Sequence, residues 1–230
     1  HGPVSVNLFY GAPTPGNVKA VERFAANVFS VTRQLRYSLS ETQLSLDLCV
    51  FINGLPIATF ELKNKLTKQT VDDAIQQYRR DRDPRELLFQ FGRCVVHFAV
   101  DDHEVRMCTH LQGKHSWFLP FNRGYNDGAG NPPNPSGLAT DYLWKEILTK
   151  VRLTDILENY AQTVEERIAI ARFTVDHIKG RVPVVVGTGA MLTSDSVALA
   201  AAARELGADA ILLASPPYSV PTDRENALNA

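Results

Sequence analysis

The chain has 230 residues, long enough for one large domain or two modest ones with a real core. Its 24 basic and 25 acidic residues give a formal net charge of −1, which neither supports nor excludes a nucleic-acid partner, because a local basic groove can sit on a neutral protein. No run approaches the roughly 20 apolar residues of a membrane span, and no charged-then-apolar start resembles a signal peptide. Cys49, Cys94 and Cys108 lie in apolar stretches without paired spacing and read as reduced core residues. The expectation is a soluble, cytoplasmic protein with no membrane partner.

Residues 17–29 carry Val18, Val21, Phe24, Ala25 and Val28 at helical spacing behind a Gly-Asn entry. Strand character follows at 33–40, where Leu35 and Tyr37 alternate, and again at 44–52. Asn53-Gly54 closes that second strand with a strong hairpin signal, and 56–62 is the returning strand. Residues 71–81 read as a helix, and 93–100, 104–111 and 116–121 as a three-stranded meander. The stretch 123–137 is too rich in Gly, Asn and Pro to be regular, and a loop of that length is functional or a linker. Helical periodicity resumes over 140–160 through Leu143, Ile147, Leu148 and Ile156.

The character then changes. Residues 164–179 form an amphipathic helix, 182–186 a buried parallel-type strand, 194–206 an Ala-rich helix, and 210–214 a second buried strand. That order belongs to a βαβ architecture. The chain is therefore read as α/β in class, with a mixed, mostly antiparallel first domain over 1–160 and a βαβ segment over 161–230.

Three ionisable residues stand where a sheet should be apolar: Asp47 in LSLDLCVFI, and Glu61 and Lys63 in ATFELKN. Glu61 and Lys63 are two apart, so on a strand they share a face. Two converging carboxylates suit a hard divalent cation such as Mg²⁺, with Mn²⁺ as a substitute, and a nearby lysine can orient or deprotonate a metal-bound water. The hairpin register matters here. A two-residue Asn53-Gly54 loop sets Asp47 opposite Phe60, on the wrong face. A three-residue loop pairs Ile52 with Pro56 and sets Asp47 opposite Glu61, and a local kink at Asp47 serves as well. The acidic pair is expected to share a face. An isolated Glu-x-Lys is more often a solvent-facing ion pair, and a resemblance decides between the two.

The stretches FSVTRQLRYS, LDLCVFINGLPIATFELKN, TVDDAIQQYRRDRDP and LFQFGRCVVHFAVDDHEVRMCTHLQGKHSWFLPFNRG, then YLWKEIL and LTDILENY, resemble the endonuclease region of type I restriction enzyme motor subunits over about residues 9–160. The resemblance implies a PD-(D/E)xK nuclease fold, a mixed sheet flanked by helices, with Asp47, Glu61 and Lys63 catalytic and Asp47 and Glu61 holding Mg²⁺. It implies double-stranded DNA as substrate, and the methyltransferase and specificity subunits of a type I complex as partners. Many relatives add a Gln-x-x-x-Tyr pair on the next helix. Gln77 and Tyr78 stand there at a different spacing, and packing of the helix on the hairpin is the plainer role. Glu22 is a further acidic candidate, set against a solvated helix face. Arg79, Arg80 and Arg82 form a basic cluster suited to DNA phosphates. No GxxxxGK[ST] motif is present, so no ATP site or motor is expected in this chain.

Residues 163–230, through TVEERIAIARFTVDHIKGRVPVVVGTG and ELGADAILLASPPYSVPT, resemble an internal segment of the dihydrodipicolinate synthase and N-acetylneuraminate lyase family of (β/α)₈ barrels. Tyr218 matches an active-site tyrosine of that family, whereas its Schiff-base lysine lies on a later strand. A quarter of a barrel cannot close its sheet. A Schiff-base lyase and a catalytically silent chimeric fragment are the alternatives to the nuclease. Gly187-Thr188-Gly189 lacks the third glycine of a dinucleotide loop, and Cys94, His97, Cys108 and His110 fit no zinc spacing.

Overall fold

A computed structural model describes residues 7–13, 16–126, 128, 130–161, 164–190 and 193–213. The chain divides into two compact units. The first takes in the described residues up to Asn122 and from Gly130 to Glu158, and the second the described residues of 123–129 and from Asn159 onward.

The first unit is a six-stranded mixed sheet in sequential order. Helix α1 (Val18–Ala25) precedes it, with the Asn17 side chain accepting from the Ala20 amide at 3.0 Å. The helix stops short of the expected residue 29. Asn27 closes a reciprocal pair with the Tyr10 backbone (2.9 and 2.7 Å), and strand β1 (Phe29–Arg36) starts four residues sooner than its alternation suggested. Strands β2 (Ser45–Ile52) and β3 (Leu55–Leu62) make the hairpin. After helix α2 (Val71–Asp81) come β4 (Val96–Val100), β5 (Val105–Cys108) and the short β6 (Leu119–Pro120). Strand β4 runs parallel to β3, and the other neighbouring pairs are antiparallel. A parallel pair needs a crossover, and α2 supplies it.

Helix α2 covers one face of the sheet. Val71, Ala74 and Ile75 pack with Ala99, while Tyr78 packs with Leu46, Phe89, Cys108 and Leu111. On the other face Phe60 lies against Phe98 (5.3 Å between ring centroids) and Trp144 (5.2 Å). Trp144 belongs to a π-helical turn over Leu143–Ile147, followed by α3 (Lys150–Asn159).

The start of α2 is fixed from outside. Asp101, in the β4–β5 turn, accepts from the Val71 amide at 2.8 Å and from the His103 and Glu104 amides at 2.7 and 2.8 Å. Thr70 donates its amide to Asp73 at 2.8 Å.

The second unit comprises α4 (Val164–Ile178), β7 (Val185–Gly187), α5 (Thr193–Leu206) and β8 (Ala210–Leu212). Strands β7 and β8 are parallel, as the alternation of helices and strands demanded. Arg167 donates to the carbonyls of Gly189 (2.9 Å) and Gly187 (2.7 Å), so the Gly-Thr-Gly loop is braced by a cation. Among the described residues no helix is long and apolar enough to cross a membrane.

Asp101→Ala removes three amide acceptors at once. It is expected to lower the unfolding free energy by about 1–2 kcal/mol, read as a lower denaturant midpoint at unchanged slope.

Candidate metal and catalytic site

The hairpin turn is the two-residue Asn53-Gly54 loop, pairing Ile52 with Leu55, and not the three-residue loop that would set Asp47 directly opposite Glu61. Asn53 and Gly54 both take left-handed backbone angles (φ 50° and 82°), and two successive residues of this kind suit a tight twisted turn. The register is corrected further along. Phe51 pairs with Pro56 but Val50 with Ala58, leaving Ile57 as an extra residue in a β-bulge. Leu48 then pairs with Phe60, the last pair of the ladder before Asp47 and Glu61.

A second irregularity lies at Asp47 itself. Leu46 packs with Tyr78, while Cys49 stands opposite Thr59, whose hydroxyl bonds the Tyr78 hydroxyl at 2.8 Å. Leu46 and Cys49 thus address one face although they are three apart, so the strict alternation of β2 breaks between them. Across the pair, Gln34 has a left-handed φ of 49° and donates to Asp47 Oδ1 at 3.3 Å. Asp47 Oδ2 accepts from the Leu62 amide at 2.8 Å, which fixes the carboxylate against the end of β3.

Glu61 is fully buried. Its Oε1 accepts from Arg82 Nε at 2.7 Å and lies 2.6 Å from Nη2 as an ion pair, while its Oε2 has no hydrogen-bond partner. Burial pushes the Glu61 carboxyl up to about 7, with the Arg82 charge pulling it down and the nearby Asp47 pushing it further up. Lys63, which also pulls Glu61 down, donates from Nζ to Gln77 Oε1 at 2.6 Å. Its backbone amide donates to the Val100 carbonyl at 2.8 Å, continuing the parallel ladder past β3.

Asp47, Glu61, Lys63 and Gln77 are therefore gathered at one end of β2 and β3, under α2. A buried carboxylate oxygen with no donor, next to a second carboxylate, is costly unless a cation or water meets it. The donor set fits a hard cation that keeps most of its waters and takes one or two carboxylates. Among the described residues no group of three or more His, Cys, Asp or Glu is arranged to hold a metal. Burial pushes Cys94 up to about 12 and Cys108 up to about 11, which leaves both as thiols and not thiolate ligands.

The other candidates are placed differently. Tyr78 is buried and bonded to Thr59, a packing role. Glu22 stands exposed on α1 with no hydrogen bond to this group. Arg79, Arg80 and Arg82 do not form one surface cluster. Arg82 is 4 % exposed, donates to Ser45 O (3.0 Å) and Tyr37 Oη (3.3 Å) besides Glu61, and so stands in the core instead of on a phosphate-facing surface. Arg79 is bonded to Ser116 O through Nε and Nη2 (3.1 and 2.9 Å), and only Arg80 is exposed. Tyr218 lies outside the described residues.

Sequence reasoning missed two members. Arg82 stands in a basic run that reads as surface, and its position just past the last turn of α2 is the signal that it can reach back to β3. His97 is buried outright, with Nδ1 2.7 Å from Thr59 Oγ1 and its ring beside Tyr78 and Phe89. Burial pushes its pKa down to about 3.

Comparison with known proteins follows the same division. Residues 16–116 match the family model described as Type I restriction enzyme R protein N terminus. Residues 158–228 match the Dihydrodipicolinate synthetase family. Both resemblances read from the sequence therefore stand, each over its own part of the chain, and the first model covers the whole cluster described above. The chain is 51 % identical over 65 residues to 4-hydroxy-tetrahydrodipicolinate synthase of Pseudomonas aeruginosa, 48 % to that of Saccharophagus degradans and 43 % to that of Bacillus subtilis. Each match covers 28 % of this chain and only 22 % of the relative, about a fifth of its length.

Removing one partner of a buried ion pair strands the other charge, so Arg82→Ala is expected to cost about 3–5 kcal/mol of stability, measured by chemical denaturation. His97 binds its proton more weakly when folded than when unfolded. Its contribution to stability is therefore complete above the ordinary histidine pKa of about 6.5 and is lost as pH falls toward about 3. His97→Gln is expected to flatten that acid dependence in thermal melts taken from about pH 7 down to about pH 4.

Proposed function

We propose that the first unit is a PD-(D/E)xK nuclease domain, spanning about residues 1–160, that hydrolyses DNA phosphodiesters as the cutting part of a type I restriction enzyme R subunit. The observation that carries this reading is the unpartnered, buried Oε2 of Glu61 near Asp47, two residues before Lys63. The family match over 16–116 supports the same assignment.

Asp47 and Glu61 would hold Mg²⁺, with Mn²⁺ as substitute. When bound, the cation supplies Lewis acidity and a water of lowered pKa. The protein's own residues do the rest. Arg82 fixes one oxygen of Glu61 and leaves the other free, and the Leu62 amide orients Asp47. Lys63, steadied by Gln77, presents an ammonium that can orient the attacking water or balance charge developing on the phosphoryl oxygens. Its substrate is double-stranded DNA, its partners are the methyltransferase and specificity subunits, and its compartment is the cytoplasm. ATP-driven motion belongs to a motor outside this domain.

Residues 161–230 are a barrel-like βαβ segment of lyase-family ancestry, and no lyase chemistry is assigned to it. The chain joins two unrelated families.

Cleavage of supercoiled plasmid tests the reading. With Mg²⁺ or Mn²⁺ the parent is expected to nick or linearise DNA, and Asp47→Ala and Lys63→Ala to lose about 100-fold or more of that rate. Metal-dependent cutting that persists at the parental rate in both variants would contradict the assignment.

A further inference from the structure

We infer that the loop following Lys63, residues 64–70, is a DNA-gripping element, in which Lys65 and Lys68 contact backbone phosphates and Leu66 presses into a groove. This rests on the nuclease reading and adds to it the surface that would hold the duplex.

Two of the three arginines expected at phosphates are engaged inside the protein, Arg82 with Glu61 and Arg79 with the Ser116 carbonyl. A phosphate-facing surface near the carboxylates must therefore draw on other cations. All seven residues 64–70 are exposed, and no acidic residue occurs between Glu61 and Asp72. Among the described residues neither the Lys65 nor the Lys68 ammonium has an acidic partner. Leu66 between them is 95 % exposed, an apolar side chain offered to solvent by a loop that gains nothing from it in the free protein.

The loop is also built to a fixed shape. Residues Lys65–Thr67 form one 3-10 turn. Asn64 Oδ1 accepts from the Thr67 amide at 3.1 Å, and the Thr67 hydroxyl donates to Asn64 O at 3.0 Å. The Lys65 amide donates to Asp102 Oδ2 at 3.3 Å, tying the loop to the β4–β5 turn. Lys68 is held left-handed at φ 55°, an unfavourable state for a lysine. A preorganised loop with two free cations about an exposed leucine has the charge and form that a phosphate backbone and an apolar groove contact require. Its first residue directly follows Lys63, so a duplex seated on it would pass the carboxylates.

The test is fluorescence anisotropy of a labelled 30-base-pair duplex over a salt series, with Ca²⁺ in place of Mg²⁺, on the full chain. Lys65→Gln/Lys68→Gln is expected to weaken binding and to reduce the slope of log affinity against log salt by about 1.8, at roughly 0.9 per phosphate contact. Leu66→Ser is expected to weaken binding about fivefold or more at an unchanged slope. Both are exposed changes, and thermal melts matching the parent show that the fold is retained. Parental binding with both variants unchanged would overturn the loop assignment alone. Failure of the parent to bind duplex would overturn the loop and the nuclease reading together.

Discussion

A carboxylate cannot sit fully buried in a sheet without a charge to meet it, and here that charge comes from the far end of the crossover helix. Arg82 follows the last turn of α2, reaches back to β3, and holds one oxygen of Glu61 by a hydrogen bond from Nε and an ion-pair contact from Nη2. The same guanidinium holds the Ser45 carbonyl of β2 and the Tyr37 hydroxyl beyond β1. One side chain thus ties two strands and the residue after a third to the helix. A pair of this kind adds little net stability against a well-packed apolar alternative, but it fixes geometry. What it fixes is the direction of the second Glu61 oxygen, which is left without a donor.

The rest of the site depends on where the chain departs from regularity. An ideal two-residue hairpin would have turned Asp47 and Glu61 to opposite faces. The extra residue at Ile57 shifts the register by one, and the irregularity around Asp47 and Gln34 breaks the alternation of β2. Both cost ladder hydrogen bonds or backbone strain. Helix α2 then has to be seated accurately, since it carries Gln77 and leads to Arg82, and the Asp101 carboxylate on its first amide does that.

Much of the fold was legible in the sequence. The helix at 71–81 lies where its periodicity placed it, because a Thr-x-x-Asp start and a clean apolar stripe leave little competition. The Asn-Gly turn was legible for a similar reason. The parallel pairing of β3 and β4 was not, since alternation reports a strand and not its partner. The bulge that offsets β2 against β3 leaves no mark in a run such as LPIATFEL. Arg82 was misjudged because local composition shows a basic cluster, whereas burial is decided by a tertiary contact across twenty-one residues of sequence. The parallel βαβ order of the tail follows from its order of elements, but its two strands are mostly exposed and not buried as their apolar runs suggest; its lyase-family likeness is 51 % identity over 65 residues.

The central claim is that Asp47 and Glu61 together receive one divalent cation. Diffraction from crystals soaked in Mn²⁺, measured at a wavelength where manganese scatters anomalously, tests it most directly. The account predicts a single anomalous peak within coordination distance of Glu61 Oε2 and the Asp47 carboxylate, with Arg82 still on Glu61 Oε1. Well-ordered, Mn²⁺-saturated crystals at neutral pH or above with no peak between the two carboxylates would contradict it.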